Sequence, residues 1–404
     1  MRRMIAAALT GLLMCAGRPA ASQEPSAPVS LDSLLQRARR DSNDALAHYQ
    51  LAMAYWDRKK WDEAERALRE ALLVAPSYAD AHLALGLMAQ RRGAGYWKDR
   101  AAQEGEEKVR TRLLEYEGHY RRAFLLNPMV DLRLLGKFED QHAGIYLGGR
   151  LMLDMTPWWS HELTKSANEF REARYQKAFD RLQELMQDKR FGGEDVNVAS
   201  PVLWFHGLAA AHLDKFDVAI RDFAVLTGRS LSFEQDTTHA PEGSMRSNDY
   251  RFLLATMLYL AGRYNQAIPT FRRVLELDLG LYSGHVQLAR MYEAQGDLES
   301  ALQERRLALD VQQDDPDLLI DLAATLLKAG RMEDAQEPLS QAARFNPHDA
   351  RVPYLQGAIA EQLDDSAGAR EAYARFIAIA PSRFTSQIKD AGERLAALSG
   401  QGRP

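Results

Sequence analysis

Cysteine is almost missing from this chain of 404 residues: Cys15 is the only one. The body of the protein therefore holds no disulfide, and packing has to stabilise it. Long apolar runs are missing too. The longest, Met4 to Ala16, is too short to span a bilayer permanently. Charge of one sign is not concentrated anywhere, and the net charge is only −5. That argues against nucleic acid or an anionic membrane surface as the main partner. The sequence also lacks a Gly-Lys-Ser/Thr phosphate loop, a Gly-x-Ser-x-Gly elbow and a Cys-x-x-Cys-His motif.

What is present is a period. Between Asn248 and Pro381, Ala267, Ala301, Ala335 and Ala369 stand 34 residues apart. Gly262, Gly296 and Gly330 keep the same step, as do Pro347 and Pro381. In the unit from Pro316, Leu318, Leu319, Leu322, Ala323 and Leu326 form one apolar helical stripe. Ala329-Gly330-Arg331 then offers a residue free to take positive φ where a helix ends. Met332, Ala335, Leu339, Ala342 and Ala343 start a second stripe, which Asn346-Pro347 stops. One such hairpin cannot bury its own apolar face, so its neighbours must stack on it.

This pattern resembles the tetratricopeptide repeat (TPR) family. The unit from Ala45 carries the match on Leu51, Ala52, Tyr55, Ala64, Leu68, Ala71 and Pro76. The resemblance implies an all-α, right-handed solenoid of stacked antiparallel helix hairpins. It also implies a protein-interaction scaffold rather than an enzyme.

Residues 1–22 read as a signal peptide: Arg2 and Arg3, the apolar Met4–Ala16 core, then Ala20-Ala21-Ser22 as a cleavage site. Removing it takes away Arg2, Arg3 and Arg18, so the net charge moves from −5 to −8. Bacterial export to the periplasm is expected. Cys15 resembles a lipoprotein attachment site, but Met14 stands where that family favours a small residue, so soluble export is preferred. Residues 23–44 read as a linker and a capping helix from Leu31 to Arg40. Residues 45–128 hold two repeat units, the second with an extended, charged helix over Gly93–Gly118. Residues 129–158 break the pattern, and Gly148-Gly149 between short apolar runs suggests a β-hairpin. Two degenerate units and a polar loop from Ser230 follow over 159–247, then four regular units over 248–381. Residues 382–404 supply a second capping helix and a tail.

The histidines give no ligand set. His48, His82 and His285 share the large-residue position of a first helix and are expected to pack in the core. His161-Glu162 lacks the second histidine of a zincin helix, and His206 and His212 lie on nearly opposite helix faces. Asp314, Asp315, Asp317, Asp364 and Asp365 sit at turns without the Gly and closing Glu of a calcium loop, so they read as caps. No catalytic, cofactor or metal site is expected.

In the TPR family the first helix of each unit lines the concave face. Carried over by register, that face offers Tyr49, Met53, Trp56, Leu83, Leu87, Trp204, Leu208, Phe252, Tyr259 and Arg290. Farther on it turns polar, with Glu293, Arg351, Tyr354 and Glu361. An apolar, aromatic groove for a peptide or protein partner is expected. A groove plugged by residues 129–158 is the alternative. So are a small-ligand site at Glu139, Asp140, His142 or His161, and self-assembly through the solenoid ends.

Overall fold

The computed structural model describes residues 30–129, 134, 146–147, 150–151, 159–188, 200–236 and 247–400. The expected signal peptide, Cys15, most of the 129–158 insertion and the C-terminal tail lie outside them. The architecture is all-α, of the stacked-hairpin solenoid type. It divides into two compact units, one of Met1–Ala81 with His285–Pro404, the other His82–Gly284.

In the first unit, α1 (Leu31–Arg40) packs Leu34 and Ala38 against α2 (Ala45–Asp57), which pairs with α3 (Trp61–Val74). In the second unit, α4 (Ala79–Glu104) and α5 (Glu106–Leu126) precede a two-residue β-pair. In it β1 (Tyr146–Leu147) runs antiparallel to β2 (Arg150–Leu151), with Tyr146 opposite Leu151. Next come α6 (Ser160–Arg171), α7 (Tyr175–Gln187), α8 (Ser200–His212), α9 (Phe216–Asp236), α10 (Ser247–Leu260) and α11 (Tyr264–Leu277). The first unit resumes at His285, within α12 (Tyr282–Gln295), and continues with α13 (Leu298–Val311), α14 (Pro316–Lys328) and α15 (Met332–Phe345). It ends with α16 (Arg351–Gln362), α17 (Ser366–Ile379), a 3₁₀ turn over Ser382–Phe384 and α18 (Thr385–Gly400).

The hairpin turns show why the helices stop. Gly262, Gly296 and Gly330 have φ of 70°, 80° and 77°, the left-handed conformation that closes a helix C-terminus. Four other hairpins turn through the same conformation without glycine, at Lys59, Ala173, Asp214 and Asp364. The next helix is then capped from the front. Asp315 accepts from the Asp317 and Leu318 amides at 2.9 and 3.4 Å, and Asp365 from Gly368 at 2.9 Å.

Two expectations need correction. Gly93–Gly118 is not one extended helix: Gly93, at φ 78° and ψ 161°, kinks α4, and Gly105, at φ 93°, separates it from α5. The result is a helical arm. Trp97 and Tyr116 form its core with ring centroids 5.9 Å apart, and the Trp97 indole donates to Ala89 O at 2.7 Å. The polar loop expected from Ser230 is instead helical as far as Asp236, the last turns of α9.

Within the first unit the N-terminal hairpin meets the C-terminal repeats at their connecting turns. Asn43 Nδ2 donates to Ile379 O at 3.1 Å, and Asn346 Nδ2 to Val74 O at 3.0 Å. Each amide satisfies a carbonyl left open at a helix C-terminus. Asp44, 1% exposed, receives Arg383 Nε at 3.0 Å, and Ser382 Oγ donates to Asp41 at 3.1 Å.

Candidate partner-binding surface

The face assigned by register is largely interior. Trp56, Leu83, Leu87, Trp204, Leu208 and Phe252 are all buried, none more than 8% exposed. Aromatic packing explains several. Trp56 stands edge-on to Trp61 at 5.4 Å, and Trp204 to Phe205 at 4.9 Å. Phe252 lies between Phe124 and Phe271, at 6.1 and 5.7 Å. Truncating such a side chain to alanine costs about 3–5 kcal/mol of stability, so these six residues hold the fold together. Tyr49, Met53 and Tyr259 are half-buried, and Arg290 is exposed. Tyr49 and Met53 sit one helical turn apart on α2, and the Tyr49 ring lies 5.1 Å from that of Tyr78.

The polar continuation is tied up internally. Arg305, on α13, reaches Glu293 on α12 at 3.0 Å and Asp321 on α14 at 2.7 Å. Glu293 also accepts from Thr325 Oγ1 at 2.6 Å and pairs with Lys328. Arg351 pairs with Asp317 and Asp349, joining α14 to α16. Arg394 bridges Glu361 at 2.6 Å and Asp390 at 2.7 Å, and these carboxylates accept from Tyr373 and Tyr354. These pairs stitch consecutive hairpins together.

A family model described as tetratricopeptide repeat matches residues 45–78, and a second of the same description matches 252–317 and 320–384. Among solved structures, the C-terminal part of a TPR repeat-containing protein from Cytophaga hutchinsonii is similar. It is 15% identical over 60% of this chain and 89% of its own, with a TM-score of 0.48. YrrB, a TPR protein with an unusual peptide-binding site, is 15% identical over 47% of this chain and 88% of its own, with a TM-score of 0.35. MamA is 10% identical over 45% of this chain and 93% of its own, with a TM-score of 0.34. None of the curated proteins matches the sequence.

The chain carries tetratricopeptide repeats over residues 45–78, 252–317 and 320–384. Among its described residues, no three His, Cys, Asp or Glu side chains come together as a metal site. Glu139, Asp140 and His142 lie outside the described residues, and His161 is exposed at the start of α6. Six of the other described histidines are held in hydrogen bonds or ring stacks. His82 and His119 meet Nδ1 to Nδ1 at 2.7 Å, and His48 Nε2 contacts Ser42 O at 2.8 Å. His285 and Glu304 lie 2.7 Å apart, and His212 stacks on Tyr175 at 4.1 Å. His206, 1% exposed, sits 2.6 Å from Asp222 and stacks on Phe179 at 4.5 Å.

Burial alone would raise the Glu293 carboxyl. Arg305, Lys328 and Thr325 more than offset that and hold its pKa below the usual range. A carboxylate depressed on folding stabilises the folded state above its unfolded pKa of about 4.3. That contribution disappears as pH falls through the lower, folded value. In this TPR protein the thermal midpoint is expected to drop below about pH 4. Glu293→Gln should flatten part of that slope, as read by scanning calorimetry from neutral pH to pH 3. An unchanged slope would remove Glu293 from the acid response.

Proposed function

We propose that this TPR protein is an exported scaffold of the bacterial cell envelope that holds a protein or peptide partner on its first-helix face. TPR proteins bind protein and peptide partners. The observation that carries the surface is the Tyr49–Met53 pair beside Tyr78. It keeps aromatic and thioether surface half-exposed where neighbouring family positions are buried. Aromatic rings offer large, rigid contact area, and methionine adapts to irregular partners. Arg290 is an exposed polar contact farther along the first unit, and Tyr259 a half-exposed one in the second.

Export is supported by Arg2-Arg3, the Met4–Ala16 core and Ala20-Ala21-Ser22. No helix among the described residues is long and apolar enough to cross a membrane. Mass spectrometry of the protein from a bacterial envelope fraction tests this part, with a mature N-terminus at Gln23 expected. A retained Met1 would refute export, and a lipid-modified Cys15 would replace soluble export with anchoring.

The binding surface is tested by crosslinking and affinity capture from envelope extract with two proteins. One is the mature chain; the other carries Tyr49→Ser and Met53→Ser. Both should show the same helical circular dichroism. Loss of a captured protein in the variant is the expected result, with affinity falling at least about tenfold. Equal capture would remove this face as the site.

A further inference from the structure

The arm formed by α4 beyond Gly93 and by α5 carries a surface that the repeats do not use. Alongside Ala101 of α4, one side of α5 opens into a cleft of about 280 Å³. Glu106, Arg110, Leu113, Leu114 and Glu117 line it, and Leu114 is 57% exposed. Their spacing, continued to Arg121, is i, i+4, i+7, i+8, i+11 and i+15, which confines all six to a stripe about 100° wide. Glu106, Arg110 and Glu117 have no ion-pair partner among the described residues. Arg121 is 70% exposed and, among the described residues, pairs only with Asp278, at 3.5 Å.

The order along this stripe is acid, base, leucine, leucine, acid, base. Turned end for end about a point between Leu113 and Leu114, it becomes complementary to itself. Leu113 then faces Leu114 of a second copy, Arg110 faces Glu117, and Glu106 faces Arg121. A two-fold axis makes each of these contacts twice, as an isologous interface requires. The stripe runs roughly 22 Å at 1.5 Å per residue, and the cleft beside it accepts the partner leucines. We propose that this face of α5 is an interface with a second copy of the same chain, in which two arms pair antiparallel.

One helix face per copy is at the low end of specific interfaces, so dissociation constants on the order of micromolar are expected. The test is sedimentation velocity on the full chain from about 1 to about 300 µM, a range that brackets such a constant. Arg110→Glu sets two pairs of like charges against each other, and Glu117→Arg does the same with the opposite sign. Each variant alone should dimerise at least about tenfold more weakly, because like charges facing each other oppose association. Mixed in equal amounts the two variants should dimerise again, because each supplies the charge the other lacks. The double variant Arg110→Glu/Glu117→Arg should dimerise on its own. Both positions are exposed, so circular dichroism should match the parent chain. A wild type that stays monomeric throughout would overturn the proposal. So would single variants that sediment like wild type, or a mixture that fails to associate.

Discussion

Arg305→Met is expected to destabilise the first unit by about 3–5 kcal/mol, the usual cost of removing one partner from a buried ion pair. The side chain is 5% exposed and lies between Glu293 at 3.0 Å and Asp321 at 2.7 Å. Its loss leaves two carboxylates facing each other across α12 and α14 with the central cation gone. Lys328 still reaches Glu293, but Asp321 keeps no cation among the described residues. Arg305→Lys should recover only part of the loss, because an ammonium is a point charge and cannot fork between two carboxylates. Arg273→Met is the control. Arg273 and Glu276 are each 60% exposed, and an exposed pair contributes less than about 1 kcal/mol. Urea denaturation followed by circular dichroism reads all three variants. An Arg305→Met midpoint matching Arg273→Met would mean that the network does not hold the hairpins together.

The second large effect lies at Gly86, where α4 crosses α5. A Cβ there would stand 2.7 Å from the backbone N and Cα of Tyr120. Backbone atoms cannot rotate aside, so α5 would have to move away from α4. Overpacking usually costs about 1–3 kcal/mol, and Gly86→Ala should fall at the top of that range. Gly284→Ala should cost clearly less. Its Cβ would meet Leu275 Cδ2 at 2.9 Å, and that branch can turn. Thermal unfolding of the two variants side by side decides the point. Equal midpoints would show that α5 yields easily.

The hairpins over 248–381 were legible in advance, because their period, alanines and turn glycines agree. The hairpins turned at Ala173 and Asp214 were harder to see, since neither residue announces a left-handed conformation. The arm was misread for a related reason. Its charged residues suit a continuous helix, and only the backbone reversals at Gly93 and Gly105 divide it.

The surface was less legible than the fold. Register names the helix face a residue occupies, but burial depends on what else packs there. Phe124 lies against Phe252 although 128 residues separate them in sequence. Nothing near Phe252 in the sequence reveals that contact. Asn43 and Asn346 likewise lie next to helix ends of their own, yet each bonds a helix C-terminus far away along the chain.

Those two asparagines set a schedule for synthesis. The turn after Val74 leaves the ribosome 272 residues before Asn346 exists to meet it. At bacterial and slower elongation rates that interval is roughly 15–50 s. Throughout it the N-terminal hairpin lacks the surface on which it finally rests. The nascent chain therefore stays incompletely folded until its last repeats are made.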